Sequence, residues 1–453
     1  MNFLTKGIEM RYWGLSAIFL AKAATGFADD GNVVAGYYEN WSQYRPPSGG
    51  RAVFFPKNID PTILTDIHFA FAIFGFVDSS IDPANPHLTG NFLLQPVEWN
   101  DQSVLYDQVQ DLKKIHPSLR AILTIGGWGF NDPNDPNGIG NHTYKLFSEM
   151  VSSEASRNQF IQSAVDYAKK YSFDGIEIDW EYPGDLTRGG SSSDFGNFLI
   201  LLEGLQTACK AQSPPLILSY AAPAIIPAGV PDSYKVDPQS YYTWLKQCSD
   251  YVDRMHVMTY DYHGPFDSPK ITGVNAPLMS DTSPSSTNMI QATLSNYLDN
   301  GVPPSKIVLG LAGYGHSYSG VQGLTPENSG PGAPFSGAGS AGSSTKSPGF
   351  LAYYEIADFI AQEQLTFGTD AITQTAYAYN SASQEWVSFD TPQTIALKAE
   401  YAKSLGLKGV MFWAIDDDEY TWGTTYPNLR AAYHVFYPQY SGFPGLARKL
   451  GRL

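Results

Sequence analysis

The sequence predicts a (β/α)8 barrel with a small α+β insertion between its seventh and eighth strands. Three observations predict it. Eight short apolar runs rich in Val, Ile and Leu are spaced along the chain, as strands covered on both faces require. Helical patterns alternate with them, and that alternation implies a parallel sheet. Nearly every run ends in something polar, aromatic or glycine-rich, and a barrel of this kind gathers its working residues at the C-terminal ends of its strands.

In chain order the strands are expected at 33–38, 66–71, 120–125, 175–180, 216–221, 254–260, 307–312 and 409–415, and the helices at 102–115, 154–171, 194–210, 241–248, 287–300 and 392–405. The strand-end residues are Tyr37 and Tyr38, Phe71, Gly126-Gly127-Trp128, Asp179 to Tyr182, Met258 to Asp261, Tyr314 and Trp413. Residues 317–390 break the rhythm. Within them, 328–349 is Gly/Ser/Pro-rich and reads as a mobile loop, 350–363 reads as helix, and 376–389 as a hairpin. The segment is too long for an ordinary loop and reads as an α+β subdomain. The barrel is therefore assigned to 29–316 and 391–440, with a frayed tail at 441–453.

Before the first strand, Arg11 precedes an apolar run from Tyr12 to Leu20 and small residues up to Ala28. Residues 1–28 read as a secretory signal, with Met10 as an alternative start, and the run is too short to span a bilayer. A secreted, extracellular monomer is expected. Cys209 and Cys248 then either form one disulfide or remain two buried thiols. Asn40-Trp41-Ser42 and Asn141-His142-Thr143 fit the glycosylation pattern. A net charge of -16 argues against nucleic acid and anionic membranes as partners and leaves a neutral polymer open. Aromatic residues make up 14% of the chain, which suits either a surface that stacks on sugar rings or a Tyr-rich core. The 8 His residues show no metal-ligand spacing, so neither metal nor other cofactor is expected, and His142 and His263 read as loop residues.

The fourth strand carries the chemistry. Glu177, Asp179 and Glu181 stand at every second position, with Ile176, Ile178 and Trp180 between them. Alternation puts the three acids on one face and the apolar residues on the other. A solvated edge strand would carry such acids at no cost. Inside an apolar strand that ends at Pro183 they need pairing or protonation, and perturbed carboxylates mark functional sites. Asp174 falls in the opposite register and reads as a structural brace.

With those motifs, the chain resembles the family-18 glycoside hydrolases, the secreted chitinases. The family pattern D-x-x-D-x-D-x-E corresponds to Asp174, Glu177, Asp179 and Glu181, and LTIGGW (123–128), MTYD (258–261), GFLAYYE (349–355) and GVMFW (409–413) follow in the expected order. The resemblance implies chitin or chitooligosaccharides as substrate and a retaining mechanism in which the substrate's acetamido oxygen is the nucleophile. It implies Glu181 as general acid, Asp179 and Tyr260 as partners of the acetamido group, and Trp413 as the floor under the reacting sugar. It also implies Trp128, Tyr182, Met258 and Asp261 at neighbouring subsites. Tyr37, Phe71 and Tyr314 complete the expected substrate contacts.

Three positions depart from the family. Glu177 stands where Asp is usual, Thr124 where Ser is usual, and His316 where Arg is usual. The first two belong, by resemblance, to one buried cluster with Tyr37, and an extra methylene in a packed interior typically costs about 1–3 kcal/mol. Two readings follow: a working chitinase, or a catalytically impaired secreted lectin that sequesters chitin oligomers. An enzyme acting on N-glycan cores is a further alternative.

Overall fold

In a computed structural model of the chain, eight strands close into one parallel barrel. The structure describes residues 31–51, 53–134, 138–279, 287–421 and 426–439, so the expected signal and the tail lie outside the described residues. The barrel strands are β1 (Val33–Glu39), β2 (Asp66–Phe74), β3 (Arg120–Gly126), β4 (Gly175–Asp179), β5 (Ile217–Pro223), β6 (Arg254–Met258), β7 (Ile307–Ala312) and β8 (Gly409–Trp413). Each pairs in parallel with the next. The ring shuts where β8 meets β1, from Val33 opposite Gly409 to Gly36 opposite Phe412. Strands β4, β6 and β8 stop before the last residues that sequence assigned to them, because Trp180, Tyr260 and Ile415 have left the ladder for the loops at the mouth.

Strand alternation sorts the apolar residues into two cores. Ile67, Phe69, Leu123, Ile176, Ile178 and Trp180 point outward into the layer beneath the helices. Val33, Ala35, Tyr37, Ala70, Val308 and Met411 fill the barrel itself. Full burial of each Ile, Leu or Val contributes about 1.5–3 kcal/mol, which is why residue spacing dictates which face turns in.

The helical layer contains α1 (Tyr106–Ile115), α2 (Glu154–Lys170), α3 (Asp194–Lys210), α4 (Pro238–Tyr251), α5 (Ile290–Asp299), α6 (Pro392–Ser404) and α7 (Pro427–Phe436). Helix α2 starts where the Ser153 side chain accepts from Ser156 N, has Glu154 in its first turn, and ends on Lys169 and Lys170. These are favourable placements for a cap and a helix dipole. Sequence reading left α7 unassigned, although Leu429, Ala432, Tyr433 and Phe436 are buried at helical spacing behind Pro427. Among the described residues, no helix is long and apolar enough to cross a membrane. Cys209 on α3 and Cys248 on α4 are buried free thiols, not a disulfide. Asn40 is fully buried, with its amide on Asp101, so a glycan has no room there, whereas Asn141 is exposed.

After β7 the chain builds an antiparallel sheet from Tyr314–Ser319, Gly337–Ala338, Phe350–Ala352, Thr366–Asp370, Thr375–Asn380 and Glu385–Phe389. Two readings of this segment need correcting. Residues Phe350–Ala352 form a strand paired with Tyr314–Ser319, and the helix is confined to Tyr353–Ala361. The Gly-rich stretch is also tied down: Gly337–Ala338 pairs with Tyr318 and Ser319, and Ser344 is buried. Glu355 anchors it by accepting from Ser344 N at 2.7 Å, Thr345 Oγ1 at 2.7 Å and Ala352 N at 3.2 Å.

Candidate active site

The barrel interior holds carboxylates at three heights. Lowest, at the N-terminal end of β2, Asp66 is fully buried and receives Arg254 from β6 at 2.8 Å and Arg120 from β3 at 2.8 Å. Burial alone would raise its pKa, but the two guanidiniums win and hold it far below the usual carboxylate range. Asp174, just before β4, braces the same end through Lys113 Nζ at 2.6 Å and Ala121 N at 2.8 Å.

At mid-height, Glu177 is completely buried and held from four other strands. Its Oε2 accepts from Tyr37 OH of β1 at 2.7 Å and Thr124 Oγ1 of β3 at 3.0 Å. His68 Nδ1 of β2 lies 3.1 Å from the same oxygen, and His256 Nδ1 of β6 lies 3.2 Å from Oε1. Burial raises its pKa, but His68, His256 and Tyr37 outweigh that and bring it down to about 2. The extra methylene that sets Glu177 apart is thus accommodated by contacts rather than clashes. Sequence reading missed both histidines. The available signal was alternation: Asp66 and His68, like Arg254, His256 and Met258, are polar or soft residues at every second position of otherwise apolar strands.

At the mouth, Asp179 closes β4 and Glu181 lies just beyond it, with exposures of only 3% and 8%. The Asp179 carboxyl is pushed well above its usual range by burial, then by the charges of Glu181 and Glu177. Its Oδ1 has no hydrogen-bond partner among the described residues. Burial raises Glu181 to about 7, with Arg188 opposing. Arg188 is a third residue that sequence reading missed. Its Nε donates to Glu181 O at 2.7 Å, and one terminal nitrogen donates to Trp128 O at 2.6 Å. Its guanidinium carbon sits 3.4 Å from the centre of the Trp128 ring. That cation–π contact holds a ring that is otherwise half-exposed.

The glycines of the third strand end make this approach possible. Gly126 has φ +113°, and a Cβ there would stand 2.2 Å from Asp179 O. Gly127 has φ +91°, donates to Asp179 O at 2.8 Å, and lies against the Phe71 ring. Only glycine tolerates both the conformation and the contact.

The remaining expected residues gather on two sides of the acids. Trp413 stacks against Phe71 at 5.7 Å and lies 5.2 Å from the Tyr37 ring, with Trp41, half-exposed, stacked on Phe71 at 5.8 Å. Tyr260 is buried in the barrel core cluster that also takes in Tyr37 and Tyr314, with half-buried Met258 and Trp413 packed on it. Asp261 has left-handed backbone, φ +59°, fixed by its N–H donating to Asn275 Oδ1 at 2.9 Å. The Tyr314 hydroxyl donates to Asp261 Oδ1, and His316 Nε2 lies 2.7 Å from that oxygen. Those two contacts outweigh burial and lower the Asp261 pKa. Tyr182 borders Glu181, and its own hydroxyl is raised by burial and by that neighbour. Tyr38, by contrast, turns outward against Phe54 and Phe69 and takes no part.

Two clusters of described residues have donor atoms close enough together for a metal ion, His68–Glu177–His256 and Glu39–Asp416–Asp417. The second is already occupied by the Arg45 guanidinium, 2.9 Å from Asp416 and 2.8 Å from Asp417.

Comparison with known proteins accords with this arrangement. Residues 33–418 match the sequence profile of the glycosyl hydrolases family 18. Mouse chitotriosidase-1 is 31% identical over 395 residues, covering 85% of this chain and 73% of the relative. The crystal structure of catalytic domain 2 of Ostrinia furnacalis Group II chitinase aligns with a TM-score of 0.74 at 29% identity, covering 90% of this chain and 97% of that one. Human YKL-39, a pseudo-chitinase with retained chitooligosaccharide binding, aligns with a TM-score of 0.70 at 27% identity, covering 89% and 99%. A barrel with acids at the mouth of its fourth strand and a profile match over most of its length identify the lineage: this chain belongs to glycosyl hydrolase family 18.

Proposed function

We propose that this protein hydrolyses β-1,4-N-acetylglucosamine linkages in chitin and its oligomers, with retention of anomeric configuration. The observation that carries the reading is Glu181: a carboxyl at the barrel mouth, raised to about 7 and therefore protonated in mildly acidic solution and about half protonated at neutral pH. In the first step Glu181 gives its proton to the glycosidic oxygen, while the substrate's acetamido oxygen attacks the anomeric carbon and the leaving sugar departs. Asp179, with Tyr260, orients the acetamido group, and the acid pair stabilises the positive charge that develops on it. In the second step water attacks the anomeric carbon, the acetamido oxygen leaves, and the Glu181 carboxylate takes the water proton. Trp413, backed by Phe71, offers an aromatic floor for the apolar face of a sugar ring. Trp128, Tyr182, Met258 and Asp261 extend the contacts, Tyr314 fixes Asp261, and the sheet at 317–390 forms one wall of the groove. Export, extracellular residence and a monomeric state belong to the same reading, as do the absence of metal from catalysis and of nucleic acid or membrane as partners.

The test is incubation with (GlcNAc)6, following products and their anomeric configuration by proton NMR. Release of β-anomers, abolished by Glu181→Gln, supports the reading; binding without release defeats it. The second reading, a chitooligosaccharide-binding lectin, is favoured by one feature, the long inner acid Glu177, and by the pseudo-chitinase among the relatives. Binding without turnover is its expected outcome.

A further inference from the structure

The proton economy of the site depends on a carboxylate that never meets substrate. Glu177 lies at mid-barrel, in register with Thr124 on β3 and Ser219 on β5. The groups facing it come from every side: Tyr37 from β1, His68 from β2, Thr124 from β3, Ser219 from β5 and His256 from β6, with Asp179 above on its own strand and the Tyr260 hydroxyl beyond the end of β6. Below the two rings lie Arg254 and Asp66, which both act on His256. The rings are 4.6 Å apart centre to centre, and both His68 and His256 are completely buried. Each turns Nδ1 toward Glu177 and leaves Nε2 without a hydrogen-bond partner among the described residues. A buried imidazole arranged this way keeps its proton on Nδ1, where it has an acceptor, and its bare lone pair in the apolar core. Tyr37 OH sits 2.7 Å from both Glu177 Oε2 and His256 Nδ1 and ties ring, phenol and carboxylate into one network.

We propose that His68 and His256 are positioning residues for the hydrolysis: His68 Nδ1–H clamps Glu177 Oε2 directly, and His256 Nδ1–H holds the Tyr37 hydroxyl that donates to that same oxygen, so the carboxylate is fixed beneath Asp179. The inference rests on Glu181 being the proton donor. A carboxylate that receives Tyr37, Thr124 and the His68 imidazole on one oxygen, with His256 3.2 Å from the other, has no need of a proton, so it stays anionic. Its fixed charge pushes the shared proton upward, onto Asp179 and Glu181, where the reaction uses it. The longer Glu side chain is what lets the carboxylate reach both rings at once.

The same three side chains bring their donor atoms within 4.8 Å of one another, the spacing of a transition-metal site. The hydrogen-bond reading is preferred for a physical reason. A metal-bound imidazole donates its other N–H to an outer carboxylate, carbonyl or water, and neither Nε2 has a partner among the described residues.

The experiment compares full-length wild type with His68→Asn, His256→Asn and Glu177→Gln, and with each His variant combined with Glu177→Gln. The readouts are kcat and KM on (GlcNAc)6 against pH, and thermal unfolding. Each His variant should lose about tenfold or more in kcat, the scale on which small displacements at a reacting centre act, with KM within about twofold. The fall of kcat at high pH should move to lower pH, because a loosened Glu177 raises the acids above it less. In the Glu177→Gln background the His substitutions should change kcat by less than about twofold, since they act through that carboxylate. Equal losses in both backgrounds, or single variants with wild-type kcat and an unshifted profile, overturn the inference. If the Asn variants do not fold, infrared titration of wild type labelled with 13C-glutamate or 13C-aspartate, read as the difference from Glu177→Gln and Asp179→Asn labelled in the same way, decides: the proposal requires a protonated Asp179 band near neutral pH and no protonated Glu177 band at pH 4. A zinc ion at one equivalent by mass spectrometry, absent from His256→Asn, overturns the clamp in favour of a metal. A wild type that binds (GlcNAc)6 without cleaving it defeats the hydrolytic reading itself, an outcome distinct from failure of the His variants.

Discussion

The two ends of the barrel interior treat a buried carboxylate in opposite ways. At the N-terminal end Asp66 sits between two guanidiniums and is an anion under all ordinary conditions. At the C-terminal end burial raises both Asp179 and Glu181, the charges of Glu181 and Glu177 raise Asp179 further, and Arg188 opposes the rise at Glu181 without cancelling it. Glu177 lies between and resembles the lower end: surrounded by donors, it is held down to about 2. The lesson is that burial alone does not make an acid. What counts is whether the neighbours supply donors and cations or leave the charge uncompensated.

The largest expected effect comes from breaking the upper end. Glu181→Gln removes the proton donor while keeping shape, and kcat on (GlcNAc)6 should fall by about 10²–10⁴-fold, with thermal unfolding unchanged or slightly improved. Breaking the lower end should do the reverse. Asp66→Asn leaves Arg254 and Arg120 facing a neutral amide, and loss of one partner from a buried ion pair typically costs about 3–5 kcal/mol. Urea unfolding should show that loss, while kcat per folded molecule stays within about twofold.

Glu177→Asp is the next largest and tests the middle level. Shortening the side chain withdraws the carboxylate from His68 and His256, so kcat should fall by about tenfold, in line with a displacement of about one ångström. A rise in kcat would instead mark the long side chain as a handicap and strengthen the lectin reading.

The smallest effect is a pH response that separates the levels in one protein. Glu181 is raised, so its protonated form is favoured by folding: kcat should decline as pH rises through about 7. Its contribution to stability is complete below the range of a free glutamate and is lost over that same rise. Glu177 is lowered, so its contribution is complete above about 4.5 and is lost only as pH falls through about 2. Calorimetry from pH 3 to 9 should show a modest fall in stability as pH rises from about 5 to 7 that levels off above it, without a matching loss between pH 4 and 5.

Much of this was legible before any coordinates. Val/Ile/Leu runs alternating with helical periods could satisfy their backbones and bury their faces only as a parallel sheet covered by helices, and the eight strands stand where those runs stand. Alternation along Gly175–Asp179 likewise required Glu177 and Asp179 on one face and the isoleucines on the other, because a strand allows no other arrangement. Tertiary structure alone decided the partners. His68 and His256 are 188 positions apart and meet only because β2 and β6 face each other across the barrel, and Arg188 reaches Trp128 only because two mouth loops fold together. Local sequence sets which way a side chain points, since that depends on a few backbone angles. What it then meets depends on closing the ring, and on that closure rests whether a buried acid is a permanent anion or a proton donor.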